Sequence, residues 1–423
     1  MRPFPILLAA GVIALGAAAV AQRQDAFVQS RNHPAIAYDK TPGTDRVAAL
    51  NRRLQAGEVE LAFDPVSGYL RSLLSALDVP VESQTLVFSQ TSFQAVLINV
   101  NNPRALYFND SVSVGWVRGG EVLEVAAHDP RLGAVFYQLE QTRAARPQLT
   151  RNVQCLACHL SWDTLGVPGL FVMTMYPLPD DPNAYANGFP NNHNSPFSER
   201  WGGWYVTGEH GAARHMGNIP VMPADKGKST LTMPLRPRKS VEGLFDLKGY
   251  PSPHSDVVAL MVLNHQTHMT NLMTRVAWEA RVAAHDRPAD GAARVQSAAN
   301  DLVDYMLFVD EARPTSPVRG SSAFTTTFAS TGPRDGKGRS LRELDLQRRL
   351  MRYPCSYMIY SEAFDAMPAA AKDAVYGRMW EVLSGRERSP RYNRLSVADR
   401  RAILEILRDT KKGLPSYFTV TVQ

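Results

Sequence analysis

Cysteine is scarce: three residues in 423, too few to build a disulfide scaffold. A chain of this length needs no such staple, because it can bury one large core or several ordinary ones. Past the first twenty residues no apolar run approaches the ~20 residues that a membrane helix needs. There is no internal repeat and no low-complexity tract. Strong charge of one sign is missing too, with 46 basic and 40 acidic residues. That balance excludes a dedicated nucleic-acid binder. Hydrophobic residues at 44% and charged residues at 20% describe a folded globular chain, and 28 Gly with 29 Pro imply long ordered loops.

The first 21 residues read as a secretory signal. Arg2 precedes an apolar run from Ile6 to Val20, which ends in the small-x-small site Ala19-Val20-Ala21 before Gln22. An uncleaved anchor is the competing reading, but fifteen Ala- and Gly-rich residues are short for a span. The expectation is a periplasmic protein, free or tethered only at its N-terminus, with a net charge of +5 once Arg2 is removed.

The fold expectation is α+β, with a β-rich unit over 22–150 and a mainly helical, loop-rich part over 151–423. Residues 22–45 read as an extended lead-in, and Leu50–Leu61 as a short helix. Strands are expected at Ala95–Val100, Ala105–Phe108, Val112–Val117 and Val122–Val125, separated by Asn-Pro, Asn-Asp and Gly-Gly turns. The stretch 151–250 is rich in aromatic residues, Gly, Pro, His and Met, the texture of a functional loop region. Ser255 is placed to cap a long helix from Asp256 to about His285. Further helices are expected at Ala298–Asp310, Leu341–Arg352, Glu362–Gly385 and Val397–Lys412, with Pro314–Gly338 as a loop. The last helix opens with a Ser396/Asp399 capping box.

Two of the three cysteines stand in Cys155-Leu-Ala-Cys158-His159, the Cys-x-x-Cys-His pattern of c-type haem attachment. Composition alone yields this pattern about 0.0005 times in such a chain. On one helical turn two thiols reach two vinyl-derived carbons, and the following imidazole lies beneath the ring to bind iron. A thioredoxin-like dithiol would sit at the end of a strand in a βαβ unit, and zinc would need a second ligand pair that the chain lacks. Cys355, alone in an aromatic setting, reads as a small buried hydrophobe.

The second axial position has several candidates. Met216, with His215 and His210 as alternatives, lies in a Gly- and Trp-rich segment, and Arg200 and Arg214 could pair with propionates. Met173 and Met175 follow the motif, but their alternating run reads as a core strand. An open position is the remaining choice, and then His265, one turn from His268, is the candidate distal proton donor. Arg334, Lys337, Arg339, Arg342, Arg348, Arg349 and Arg352 form the densest basic stretch, either a solvated face or a docking patch within 334–352 for an acidic redox partner.

Cys155, Cys158 and His159 resemble the motif of c-type cytochromes, and the Leu395–Lys412 helix is loosely similar to their closing helix. Trp201–Gly208 and Arg339–Pro354 resemble segments of large uncharacterised bacterial proteins that carry a cytochrome c domain. The resemblance implies one covalent haem c, with His159 as proximal ligand, in an exported, cytochrome-c-like protein that transfers single electrons. The 264 residues after His159 exceed what wrapping a haem requires. A haem-dependent oxidoreductase, peroxidase-like or acting on a small molecule, and a five-coordinate ligand sensor therefore stay open as alternatives.

Overall fold

The computed structural model describes residue 27 and residues 29–176, 188–229, 232–233 and 235–419. The segment 1–21, read above as an export signal, lies outside them. The chain is mixed α+β, with a sheet-rich N-terminal part and a helical C-terminal part.

Two short helices, α1 (Arg46–Ala56) and α2 (Leu70–Ala76), precede the sheet. Its strands are β1 (Thr85–Val87), β2 (Arg104–Phe108), β3 (Val112–Trp116), β4 (Val122–Asp129), β5 (Gly133–Glu140) and β6 (Leu149–Arg151). Beyond residue 151, β7 (Val172–Met175) pairs with β8 (Gly188–Asn191) in a separate two-stranded sheet, and a two-residue strand, β9 (Trp204–Tyr205), pairs with β1, so the order of the large sheet is β6-β5-β4-β3-β2-β1-β9, antiparallel throughout. Strand alternation divides its side chains between two faces. On the outer face Tyr107, Val114, Val125 and Tyr137 pack with Leu50, Leu54, Leu70 and Leu73 of α1 and α2.

The inner face is the one that matters for function. Two rows cross it, Leu106–Gly115–Glu124–Gln138 and Phe108–Ser113–Ala126–Phe136. Helix α4 (Val257–Asp286) lies over the hairpin ends of these strands: Gln266 donates to Asn109 O, Trp278 to Arg131 O, and Thr274 Oγ1 pairs with His128 Nε2. The opposite end of the face carries small residues and stays partly open, with Leu106, Ser113, Glu124 and Gln138 only half-buried. Behind α4 pack α5 (Gly291–Met306), α6 (Phe324–Ser330), α7 (Glu362–Asp365), α8 (Ala369–Leu383) and α9 (Val397–Thr410), which share one apolar core.

Several local expectations change. Ala95–Val100 is not a strand: only the 3-10 turn Ala95–Leu97 forms, and the segment bonds through side chains instead, Gln94 to Val122 O and Asn102 to Leu97 O. Leu341–Arg352 is not a helix but a run of turns closed by a Leu344–Met351 bridge, because Asp345 spends its side chain on the amides of Gln347 and Arg348. Pro368 divides the expected Glu362–Gly385 helix into α7 and α8. The first helix begins earlier, at Arg46 after the Asp45 cap, and ends where Gly57 turns left-handed. Helix α5 likewise starts at Gly291 and stops at Met306, and α6 occupies part of the expected 314–338 loop. The capping box of α9 forms as expected.

The cap of α4 is Asp256 rather than Ser255. Asp256 Oδ1 accepts from Val258 N (2.7 Å) and Ala259 N (3.2 Å), while Oδ2 accepts from Ser322 N (2.7 Å) and Ser322 Oγ (2.8 Å). Ser255 Oγ instead joins strands, donating to Tyr205 O and accepting from Leu86 N. Because Asp256 is fully buried, Asp256→Ala removes the cap and strands Ser322; the expected loss is about 2–4 kcal/mol, read from the urea midpoint. Ser255→Ala, which leaves the cap intact, should cost less.

Candidate functional site: the Cys-x-x-Cys-His turn on the open sheet face

Strand β6 runs directly into the motif. Asn152 caps it by accepting from Gln154 N, a 3-10 turn spans Val153–Cys155, and α3 (Leu156–His159) completes the helical turn. Leu156 and Leu160 are buried against the sheet and fix the turn's rotation. Both motif cysteines are free; Cys155 is half-buried and Cys158 exposed. Burial, with Glu124 nearby, pushes the Cys155 thiol up to about 11, so it is no ready thiolate for dithiol exchange.

His159 is oriented by a chain of contacts. Its Nδ1 lies 2.9 Å from Gly169 O, and a carbonyl only accepts, so Nδ1 carries the proton and Nε2 keeps a free lone pair. Phe136 and Phe171 flank the ring at 4.8 and 5.5 Å. The accepting carbonyl is itself fixed from two sides. Ala134 N donates to Pro168 O (3.0 Å), and the buried Asn271 of α4 clasps Leu170, accepting from its N (3.1 Å) and donating to its O (2.8 Å). Residue 169 must be glycine, since a Cβ there would sit 2.2 Å from Asn271 Oδ1. Burial lowers the His159 pKa to about 4, leaving a neutral imidazole at neutral pH.

These features suit a haem. Two free thiols on one turn and an imidazole with Nε2 unprotonated are the donor set that covalent attachment and iron ligation require. The half-open floor of Leu106, Ser113, Gly115 and Ala126 offers apolar and small side chains beside them. Arg104 and Glu124, paired at 2.5 Å, act electrostatically on both Cys155 and His159, and Arg104 Nε is buried without a hydrogen-bond partner among the described residues. A Cβ on Gly115 would meet the Arg104 guanidinium at 2.6 Å, so that glycine makes the guanidinium's seat. Neither Arg104 nor Asn271 is apparent from sequence, because only register and packing bring them to the motif.

Other expected site residues are placed elsewhere. Arg200 is buried and spends its donors on Ser195 O and His193 O, both at 2.8 Å, where no propionate reaches it. Arg214 is exposed and donates to Met233 O. His210 and His215 face each other, Nε2 to Nε2 at 3.2 Å, and Met216 N donates to Arg200 O. This group adjoins Val206 through Asn218, beside β9, which is five strands along the sheet order from the strand holding Phe136, and Trp201 next to it donates to Asn264, seven residues before Asn271 on α4. The structure therefore does not bring Met216, His215 or His210 to His159. Met173, in strand β7 (Val172–Met175), is two residues from Phe171 and shares its face; it stays half-buried, while Met175 is buried.

His265 is fully buried, its Nδ1 2.8 Å from His193 Nδ1 and its Nε2 2.7 Å from Ser356 Oγ, stacked among Tyr305 and Phe308. It is a core histidine in a closed polar chain. Cys355 is also fully buried, its thiol pushed up to about 12 by burial, as the small-hydrophobe reading expects. All seven basic residues of 334–352 form ion pairs within the chain, with Arg348, Lys337 and Arg352 the most exposed. A cavity of 510 Å³ lined by Phe108, Gln266, Phe328, Arg342 and Tyr360 contains no motif residue. Within it Arg342 pairs with Asp110 and Arg46 with Asp78.

Burial holds His265 neutral down to about pH 3, and His268 and His128 to about pH 4. Unfolded histidines protonate near 6.5, so the unfolded chain binds more protons below that pH and stability falls as pH drops from about 6.5 towards 4. Urea midpoints measured between pH 8 and 4 should decline on the acid side, and His265→Gln should make that decline shallower. Asn271→Ala, which leaves Leu170 N and O unpaired, should cost about 2 kcal/mol and let His159 populate its other tautomer, visible in imidazole nitrogen NMR.

No family model, no curated protein and no solved structure matches this chain. What the site can do is therefore argued from its donors and their positions.

Proposed function

We propose that this is an exported, periplasmic c-type haem protein that passes single electrons. The carrying observation is the His159 Nδ1–H···O=C Gly169 bond, because it leaves Nε2 unprotonated beside two free thiols on the same helical turn. A covalently bound haem would supply a one-electron iron couple at this site. Cys155 and Cys158 would anchor it, and His159 would provide the proximal nitrogen. Gly169, Leu170 and Asn271 keep that imidazole from turning. Phe136 and Phe171 pack beside its ring.

Arg104 is the basic side chain to consider first beside the group, since its buried Nε lacks a hydrogen-bond partner among the described residues, whereas the buried Arg200 donates to Ser195 O and His193 O. Met173 is the first side chain to replace in testing for a protein ligand besides His159, because it lies two residues from Phe171, which packs on the His159 ring, and is half-buried. An acidic redox partner docking at 334–352 would meet mainly Arg348, Lys337 and Arg352, the cations there with the most exposed side chains.

The test is maturation of the full chain in a host with periplasmic haem-attachment machinery. One haem per chain should survive denaturation, detected by mass and by the pyridine haemochrome spectrum. Cys155→Ala and Cys158→Ala should each leave a single thioether or none, and His159→Ala should change the ligation spectrum. A wild-type chain that folds there without covalent haem would reject the proposal. Carbon monoxide separates the roles: a low-spin ferrous protein that excludes it supports electron transfer, and ready binding supports the oxidoreductase or sensor alternative.

A further inference from the structure

At the far end of α4 a second group of donors converges. His33 of the lead-in, and His285 and Asp286 from the helix's last turn, each offer one ligand atom, and these atoms all lie within 4.8 Å of one another. His33 Nε2 is 3.0 Å from Asp286 Oδ2, and His285 Nδ1 is 2.6 Å from Asp286 Oδ1. His33 and Asp286 are 253 residues apart, so the grouping is a product of the fold.

Both halves are anchored to one turn. Arg131, between β4 and β5, donates to Ala35 O beside His33 and accepts through its own carbonyl from Trp278, two helical turns before His285. The lead-in is further held by Tyr38 OH to Ala134 O and by Arg151, which donates to Tyr38 O and Thr41 O. The donors therefore meet on a rigid support. The C-terminal turn of α4 also presents unpaired carbonyls, whose partial negative charge favours a cation. Neither histidine is locked in the core: His33 is half-buried and His285 exposed, so an ion and its waters have access.

We infer that His33, His285 and Asp286 form a site for a divalent transition ion of the zinc class. Two imidazoles and one carboxylate, with a fourth position for water, match zinc's preference for nitrogen donors and four-fold coordination and do not match magnesium or calcium. The ion would replace the protons now shared with Asp286 and clip the lead-in to the end of α4. One contact sets the strength. His33 Nδ1 accepts from Ala35 N at 3.2 Å, a long bond that must be given up when the proton moves from Nε2 to Nδ1. The expected affinity is therefore micromolar rather than nanomolar.

The experiment is titration of the full chain, in a Cys155→Ser/Cys158→Ser background, with zinc chloride by calorimetry and with cobalt(II) by absorption. The serine background removes the thiols that would otherwise compete. One equivalent should bind, cobalt bands should lack thiolate charge transfer, and His33→Ala, His285→Ala and Asp286→Asn should each weaken binding at least tenfold. Zinc should also slow proteolysis within residues 29–44, whereas magnesium should do neither. No stoichiometric zinc binding below about 100 μM, or binding unchanged by His33→Ala, would overturn the assignment. These surface substitutions should not disturb folding, which circular dichroism checks.

Discussion

The imidazole of His159 can present only one nitrogen to a ligand because the other is held by a carbonyl that cannot move. That carbonyl is Gly169 O, and its immobility comes from Asn271, a buried amide on the long helix α4. The dependence runs further back. Asn271 is in place because Asp256 fixes the start of α4, and because Trp278 and Thr274 seat its later turns on the sheet. A local motif thus depends on a helix that begins almost a hundred residues later.

Helix α4 is unusual in what it buries. Twenty of its thirty residues are inaccessible, among them Asn264, His265, Gln266, Thr267, Asn271 and Thr274. A polar group taken out of water costs energy unless it finds a partner, so such a helix is tolerated only where each group is met. Here each is: Asn264 by Asn191 and Trp201, His265 by His193 and Ser356, Gln266 by Asn109 and Tyr357, Thr267 by Leu263 O, Asn271 by Leu170, Thr274 by His128. These bonds add little net stability, but a wrong register of α4 would break many at once. The polar interior therefore specifies where α4 sits, and so where Gly169 holds His159.

This explains what was legible in the sequence. The Cys-x-x-Cys-His turn, the capping box of α9 and the three strands β2, β3 and β4 are visible because their signals are local, in spacing, caps and turn residues. Asn271 and Arg104 gave no signal, since an Asn inside a helix and an Arg at the start of a strand acquire meaning only through partners far away in the chain. Leu341–Arg352 misled for a related reason. Its leucines are spaced like a helix's, but Asp345 and Glu343 bind amides of the same segment, and Arg342 and Arg349 are drawn to Asp110 and Asp399. Side-chain competition for the backbone outweighed apolar period. His210, His215 and Met216 looked favourable beside Trp201 and Trp204, but those rings serve β9 and its packing at the far edge of the sheet.

The position of the motif within the sheet bears on the excess length noted at the outset. Strand β6 leads into the motif and β9 returns to the same sheet after it, so the Cys-x-x-Cys-His turn is held by strands that precede and follow it. One side of the motif is the inner face of the sheet, where Ser113 and Ala126 are small and Gly115 seats the Arg104 guanidinium. The later helices then need not wrap the site. They bury α4, and through Asn271 they hold one nitrogen of one imidazole in its orientation.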